Sequence, residues 1–296
     1  MQPDAQFRRE RSFRVFLSFL SPRLNTVYLY WKKFGRPPDL RHPQSFNEML
    51  LRQKLERFGR DREVRLCADK LTARDFVRER GCADLLVPLC GVWRRPEEIC
   101  FEALPERFVL KWNFGCGYTL LCPDKAALDR SAAVELLRRW GREPFWAFFS
   151  ELQYRGIPRR ILAEAWLGDD RGVPPEDYKF YCFHGKAACV MLCTGRERGV
   201  PRFYFFDRDF RLLRINRDGK EAPADFSLVR PDGLERAFSA AETLSAGFPF
   251  VRVDLYLIGG RVFFGELTFT PAAALDTKRL PEADAWFRRL LAGGAE

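Results

Sequence analysis

Histidine is nearly missing from this sequence: His42 and His184 are the only two in 296 residues. Serine–histidine–aspartate and cysteine–histidine relays are therefore hard to assemble, and no G-x-S-x-G elbow exists to expose a serine nucleophile. No Cys-x-x-Cys pair occurs, so a structural zinc site would need an unusual ligand set. Apolar runs never reach the roughly 18 residues that a membrane-spanning helix requires. The apolar stretch from Val15 to Leu20 is too short for a secretory core and stops at Pro22, so no cleaved signal is expected and the chain should be soluble. Internal repeats and low-complexity linkers are lacking as well.

What is there is a globular composition. Hydrophobic residues make up 47% and charged residues 30%, which excludes disordered, collagen-like and coiled-coil classes. Lys+Arg total 50 against 40 Asp+Glu, a net charge of +10 that suits an anionic partner or an anionic membrane surface. Acidic residues interrupt most basic runs, Arg8-Arg9-Glu10-Arg11 among them, so no nucleic-acid-binding stripe forms and no nucleic-acid partner is expected. Aromatic anchors abound, with 28 Phe, 8 Tyr and 7 Trp. The nine cysteines are scattered, mostly in apolar runs, and read as buried reduced thiols of a cytoplasmic protein. At the N-terminus, Arg9, Arg11, Arg14 and Arg23 surround Phe13, Phe16, Leu17 and Phe19. That pattern has two readings, a helix docked on its own domain or an amphipathic helix touching anionic lipid.

At about 150 residues per domain, the length suggests two units or one unit with subdomains. Helices and turns are expected up to about residue 60, with Ser45 to Glu48 as a capping box, then a helix over 62–80 closed by Gly81. Short apolar or alternating runs at 85–92, 107–112, 118–122, 160–167, 178–183, 188–193 and 203–206 predict strands, interrupted by helices over about 125–154. A helix over 234–245 precedes two strands, 250–258 and 262–269, joined at Gly259-Gly260. The class is mixed α/β (α+β) with substantial antiparallel pairing, without the regular alternation of a doubly wound sheet.

The segment FPFVRVDLYLIGGRVFFGELTFTP puts Arg252, Asp254 and Tyr256 on one strand face and Val251, Val253 and Leu255 on the other. Glu266 and Thr268 likewise alternate with Leu267 and Phe269. A two-residue loop would pair 254 with 265 and turn Glu266 to the opposite face. A three-residue loop would pair 254 with 266 and 252 with 268. In that second register two carboxylates lie side by side, an oxygen-only pair suited to Mg²⁺; the alternative is separate surface acids or an ion pair with Arg252. In RFVLKWNFGCGYTLLC, Lys111 ends a strand before Gly115-Cys116-Gly117, a layout that lets backbone N–H groups approach phosphate or forms an ordinary glycine hairpin. Glu164 closes the ILAEAWL strand and Lys179 opens DYKFYCFHGK, so a carboxylate and an ammonium could both edge one pocket, although either alone is more often a solvated strand end.

In order along the chain, Asp69-Lys70, Lys111 with its glycine loop, Glu164, DYKFYCFHGK, FPFVRVDLY and FGELTFTP resemble the ATP-grasp superfamily, and within it the TupA-like branch named for teichuronopeptide biosynthesis, over about residues 45–275. The resemblance implies an N-terminal helical region at 1–58, a pre-ATP-grasp-like segment at 59–105, a lid subdomain at 106–166 and a catalytic subdomain at 167–296. It implies that Lys70, Lys111, Lys179 and the loop of Gly115, Cys116 and Gly117 bind ATP, with Glu164 and the backbone of Trp166 and Leu167 at the adenine. Asp254 and Glu266 would bind Mg²⁺, and Arg252 with Lys111 would act on the transferring phosphoryl group. Thr268 stands where many ATP-grasp enzymes have asparagine, and Pro271-Ala272-Ala273-Ala274 lacks the usual glycine. The implied reaction activates a carboxylate as an acyl phosphate that an amine then displaces. Its implied setting is a uronic-acid-containing cell-surface polysaccharide or its precursor, in the cytoplasm or at the inner membrane face. Other readings are a phosphotransferase on the same fold and a glycosyltransferase holding a nucleotide sugar through Asp207 and Asp209 of YFFDRDF.

Overall fold

Alternation on one short strand organises the first sheet. Phe108, Leu110 and Trp112 are buried while Val109 and Lys111 between them are only partly so. In the computed structural model, which describes residues 5–195 and 200–293, the chain divides into two units. One holds residues 1–71, 89–165 and 272–275; the other holds 72–88, 166–271 and 276–296.

In the first unit, strands β1 (Leu89–Trp93), β2 (Phe108–Trp112), β3 (Thr119–Cys122) and β4 (Ile161–Ala165) form a sheet in the order β1-β4-β2-β3. Every neighbouring pair is antiparallel. The helix Arg130–Gly141 lays Ala133 and Leu137, one turn apart, into the cluster made by Phe108, Leu110 and Ile161. Asp129 starts this helix by accepting from the Ala132 amide at 2.9 Å. The Trp112 indole N–H donates to the Leu137 carbonyl at 3.0 Å, which satisfies the ring's polar atom inside the core.

The N-terminal helices Ala5–Leu20, Pro22–Phe34 and Phe46–Gln53 belong to the same unit. The capping box forms as the sequence predicts: Glu48 N donates to Ser45 Oγ at 3.2 Å and Ser45 N donates to Glu48 Oε2 at 3.1 Å. Glu48 is fully buried and also accepts from Arg36 at 2.7 Å and Tyr30 at 3.1 Å. Burial alone would raise this carboxyl, but the Gln44 amide and Arg36 outweigh it and hold it below its ordinary value. Its stabilising contribution is therefore present above the unfolded carboxyl pKa and lost as pH falls through the folded one. Glu48→Gln is expected to cost about 2–3 kcal/mol in urea unfolding at neutral pH, a difference that narrows below about pH 4.

Two elements between residues 62 and 93 differ from expectation. The helix expected over 62–80 is two helices, Arg62–Ala68 and Ala73–Glu79. The break falls at Asp69-Lys70, because the Asp69 carboxylate accepts from the Leu71 amide and from Asn113, both at 2.8 Å, offering the backbone an alternative to the helical turn. The strand expected over 85–92 starts only at Leu89. Leu85 closes a short 3₁₀ turn, and Leu86 makes a parallel bridge to Phe264.

In the second unit, β5 (Asp177–Phe183), β6 (Lys186–Thr194), β7 (Arg202–Phe206), β8 (Leu212–Leu213), β9 (Phe250–Ile258) and β10 (Arg261–Thr268) make a six-stranded antiparallel sheet, in the order β10-β9-β5-β6-β7-β8. Consecutive residues of β5 point to opposite faces, and each face has a helix. Phe180 meets Phe238 of helix Leu234–Ser245 at 4.9 Å between ring centroids. Tyr181 stacks on Phe287 of helix Pro281–Leu291 at 5.4 Å.

The β9–β10 hairpin resolves the register by a route outside both loop alternatives. Gly259 and Gly260, at φ 54° and 72°, form a two-residue loop that pairs Ile258 with Arg261. A bulge at Gly265 then shifts the register by one, pairing Asp254 with Glu266 and Arg252 with Thr268. A Cβ at Gly265 would lie 2.9 Å from the Asp254 carbonyl oxygen, so only glycine permits this approach. Gly265→Ala is expected to destabilise by about 1–3 kcal/mol in chemical denaturation.

Candidate active site

Each unit carries its own lysine–carboxylate cluster. In the first, Lys111 near the end of β2 and Glu164 on β4 share a sheet face, since Glu164 pairs with Val109 two residues from Lys111. Their ion pair measures 2.5 Å, with both side chains nearly buried. The β2–β3 connection follows at once. It is closed by Trp112 N donating to Tyr118 O at 3.0 Å, and it passes through Gly115 and Gly117 at φ 67° and 79° with Cys116 exposed between them. Lys70 donates to the Gly115 carbonyl at 2.5 Å. A Cβ on Gly115 would come within 2.6 Å of the Phe145 ring.

Asn113 is the residue that sequence reasoning missed here. Fully buried, it donates to Asp69 at 2.8 Å and Pro158 O at 3.0 Å and accepts from the Arg160 amide at 2.8 Å. Together with Lys70 N donating to Asn113 O at 2.8 Å, these bonds fix the Asp69-Lys70 pair against the glycine loop. An asparagine between an apolar strand and a glycine pair, K-W-N-F-G, was the available signal.

In the second unit, Lys179, Arg252, Asp254, Glu266 and Thr268 meet on one sheet face. Lys179 donates to Asp254 Oδ2 at 2.8 Å. Arg252 grips the same carboxylate with two bonds of 2.7 Å, Nε to Oδ1 and Nη2 to Oδ2. Thr268 donates to Glu266 at 3.2 Å and accepts from Arg252 at 3.2 Å, while Arg252 stands 3.9 Å from Glu266. Burial works against the Arg252 charge, yet the Asp254 carboxylate prevails and holds the guanidinium well above its ordinary value. Burial also pushes the Tyr181 hydroxyl on the same face up to about 12. Asp177, which sequence reasoning passed over, pairs with Lys179 at 3.2 Å; the i, i+2 spacing of D-Y-K already placed them on one face.

The donor set fits Mg²⁺. Asp254 and Glu266 offer oxygens without thiolate or imidazole. Among the described residues no group of three or more His, Cys, Asp or Glu side chains converges to cage a metal. The remaining ligands would then be phosphate oxygens and water, the usual mode for this ion. Counting Lys179 and Arg252 against Asp177, Asp254 and Glu266 gives 2 − 3 = −1, a charge that favours a cation.

Trp166 and Leu167 begin the segment after β4 and stand apart from these contacts; the Trp166 indole donates to Asp169 O at 3.3 Å. Asp207 and Asp209 shape the β7–β8 turn, where the Asp207 side chain accepts from the Arg211 amide at 2.8 Å and Asp209 pairs with Arg211 at 3.3 Å. The turn accounts for both acids.

The TupA-like ATPgrasp profile matches residues 48–291. The chain belongs to this family. The matched span of this ATP-grasp chain includes every clustered residue from Lys70 to Glu266 and begins after the helices Ala5–Leu20 and Pro22–Phe34. Among solved structures it is similar to a D-alanine–D-alanine ligase from Bacillus anthracis complexed with ATP, at 15% identity over 77% of this chain and 64% of that one, with a TM-score of 0.46. The D-alanine–D-alanine ligase from Helicobacter pylori matches at 11% identity over 78% of this chain and 59% of that one, TM-score 0.42. D-cycloserine synthetase DcsG matches at 16% identity over 78% and 71% of the respective chains, TM-score 0.42. The chain thus spans less than two thirds of the length of these two D-alanine–D-alanine ligases. A comparison with curated proteins finds no match.

Proposed function

We propose that this TupA-like ATP-grasp protein is an ATP- and Mg²⁺-dependent carboxylate–amine ligase that works through an acyl phosphate. The observation that carries the reading is the pairing of Asp254 with Glu266 beside Lys179 and Arg252. Asp254 and Glu266 would hold Mg²⁺, which when bound neutralises charge on the nucleotide phosphates. In the second unit Lys179 would exchange its carboxylate partners for phosphate oxygens; in the first, Lys111 would do likewise, and Lys70 steadies the 115–117 loop, whose amides suit phosphate. Glu164 and the backbone of Trp166 and Leu167 hold the adenine edge.

Arg252 offsets the charge that develops as the γ-phosphoryl passes from ATP to a carboxylate oxygen of the acceptor, with ADP as the leaving group. An amine then attacks the acyl carbon, phosphate leaves and the amine proton goes to solvent. No protein nucleophile is needed, in keeping with two histidines in the whole chain. A uronic acid of a cell-surface polysaccharide or its precursor is the acceptor class that we propose, in keeping with the net charge of +10.

The test incubates the protein with ATP, Mg²⁺, a glucuronate-bearing oligosaccharide and hydroxylamine as the amine. Hydroxamate, ADP and phosphate should appear in equal amounts, in wild type and in Asp207→Asn alike. A phosphorylated product that persists in hydroxylamine would contradict the ligase reading and select a phosphotransferase.

A further inference from the structure

Helix Ala5–Leu20 is amphipathic in the wrong sense for a surface facing water. Its inward side carries polar groups: Arg11 pairs with Glu143 and lies over the Phe148 ring at 4.0 Å, Arg14 lies over Phe149 at 5.1 Å, and Ser18 donates to the Ala147 carbonyl at 2.6 Å. Its outward side carries Phe13, Phe16, Phe19 and Leu20, and helix Pro22–Phe34 adds Leu24 and Trp31, all 45–65% exposed. These six account for nearly half of the thirteen large apolar side chains exposed among the described residues, so the patch is a concentration rather than normal scatter. The rings are also held in place, Phe13 edge-on to Tyr28 at 5.3 Å and Phe19 against Trp146 at 5.1 Å.

Charge says what covers the patch. Residues 5–34 contain seven Lys and Arg against one acid, Glu10, so 7 − 1 = +6 of the chain's net +10 sits on these two helices. Arg8, Arg9 and Arg23 are exposed, and Lys32 and Lys33 follow Trp31 in the last turn of their helix. Bulky aromatic and leucine side chains ringed by arginine and lysine match the depth profile of a bilayer interface, where apolar groups enter the acyl boundary while basic groups reach lipid phosphates. No helix among the described residues is long and apolar enough to cross a membrane, so these helices would lie on the surface rather than span it. We propose that the outward faces of helices Ala5–Leu20 and Pro22–Phe34 form a docking surface for an anionic lipid bilayer. The surface precedes the residues matched by the family and stands independently of the ligase reading.

The test is co-sedimentation of the full chain with vesicles of phosphatidylcholine, alone or with about 30 mol% phosphatidylserine. Wild type should bind the anionic vesicles, more weakly as salt rises, and bind pure phosphatidylcholine poorly. Phe16→Ser with Leu20→Ser should weaken binding about tenfold or more. Arg8→Glu with Arg9→Glu should remove the preference for anionic lipid while leaving circular dichroism and the melting temperature unchanged. Absence of binding to anionic vesicles, or binding indifferent to Phe16→Ser with Leu20→Ser, would overturn the proposal. Lipid-free self-association abolished by that double variant, without vesicle binding, would assign the face to a second copy of the chain and likewise overturn it.

Discussion

Asp254→Asn is expected to cost about 3–5 kcal/mol of folding stability in urea unfolding. Asp254 is 2% exposed and accepts three hydrogen bonds from two cations. Replacing its charge leaves Lys179 and Arg252 nearly buried, with the more distant Asp177 and Glu266 as their remaining anionic partners. The retained Asp177 contact places the expected cost toward the lower end of that range. Adding Lys179→Met to Asp254→Asn should recover part of the loss, with a coupling energy of about 1–3 kcal/mol in a double-mutant cycle. A cost below about 1 kcal/mol, the range of exposed pairs, would mean that the carboxylate is solvated and its grip on Arg252 is energetically idle.

Glu266→Gln is expected to separate function from folding. Glu266 pairs across the strand with Asp254, but its side chain is 28% exposed and stands 3.9 Å from Arg252. Removing its charge should therefore change stability by less than about 1 kcal/mol. Turnover in the hydroxamate assay should nevertheless fall by about 10²–10³-fold, the scale on which one preorganised electrostatic contact to a reacting phosphoryl group acts. Unchanged turnover would remove Glu266 from the proposed metal pair.

Much of the framework was legible because it is written in periods of two. The alternation in FPFVRVDLY places Arg252 and Asp254 on one face and Val251 and Val253 on the other, and the sheet has them so. Buried runs such as FYCF of β5 were legible from apolar content and turn boundaries alone. The hairpin register was not, because loop length by itself would have sent Glu266 to the wrong face. The deciding feature is a bulge whose only trace is Gly265, a residue that reads equally well as ordinary strand.

Features set by distant partners were likewise hidden. The helix break at Asp69-Lys70 depends on Asn113, 44 residues away along the chain, and local propensity is silent about such a bond. The segment 72–88 falls in the second unit although the chain on both sides of it is in the first; no local pattern encodes the Leu86–Phe264 bridge. Strand β8, at two residues, is too short to show any period. For the clusters, residue types and same-face spacing were visible in sequence. Which cation holds which carboxylate required the fold, whereas Asp177 beside Lys179 was already present as a same-face i, i+2 pair.

The most direct measurement of the central claim is thermal unfolding of the purified protein with ATP and Mg²⁺, each ligand alone, a nucleotide sugar with Mg²⁺, and no ligand, in wild type, Glu266→Gln and Asp207→Asn. At ligand near a hundred times its dissociation constant, binding should stabilise wild type by about 2.7 kcal/mol. That corresponds to a rise of roughly 5 °C at this chain length. The account predicts that the rise requires ATP and Mg²⁺ together, persists in Asp207→Asn and is lost in Glu266→Gln. A rise produced by a nucleotide sugar and not by ATP, or one lost in Asp207→Asn and kept in Glu266→Gln, would contradict it.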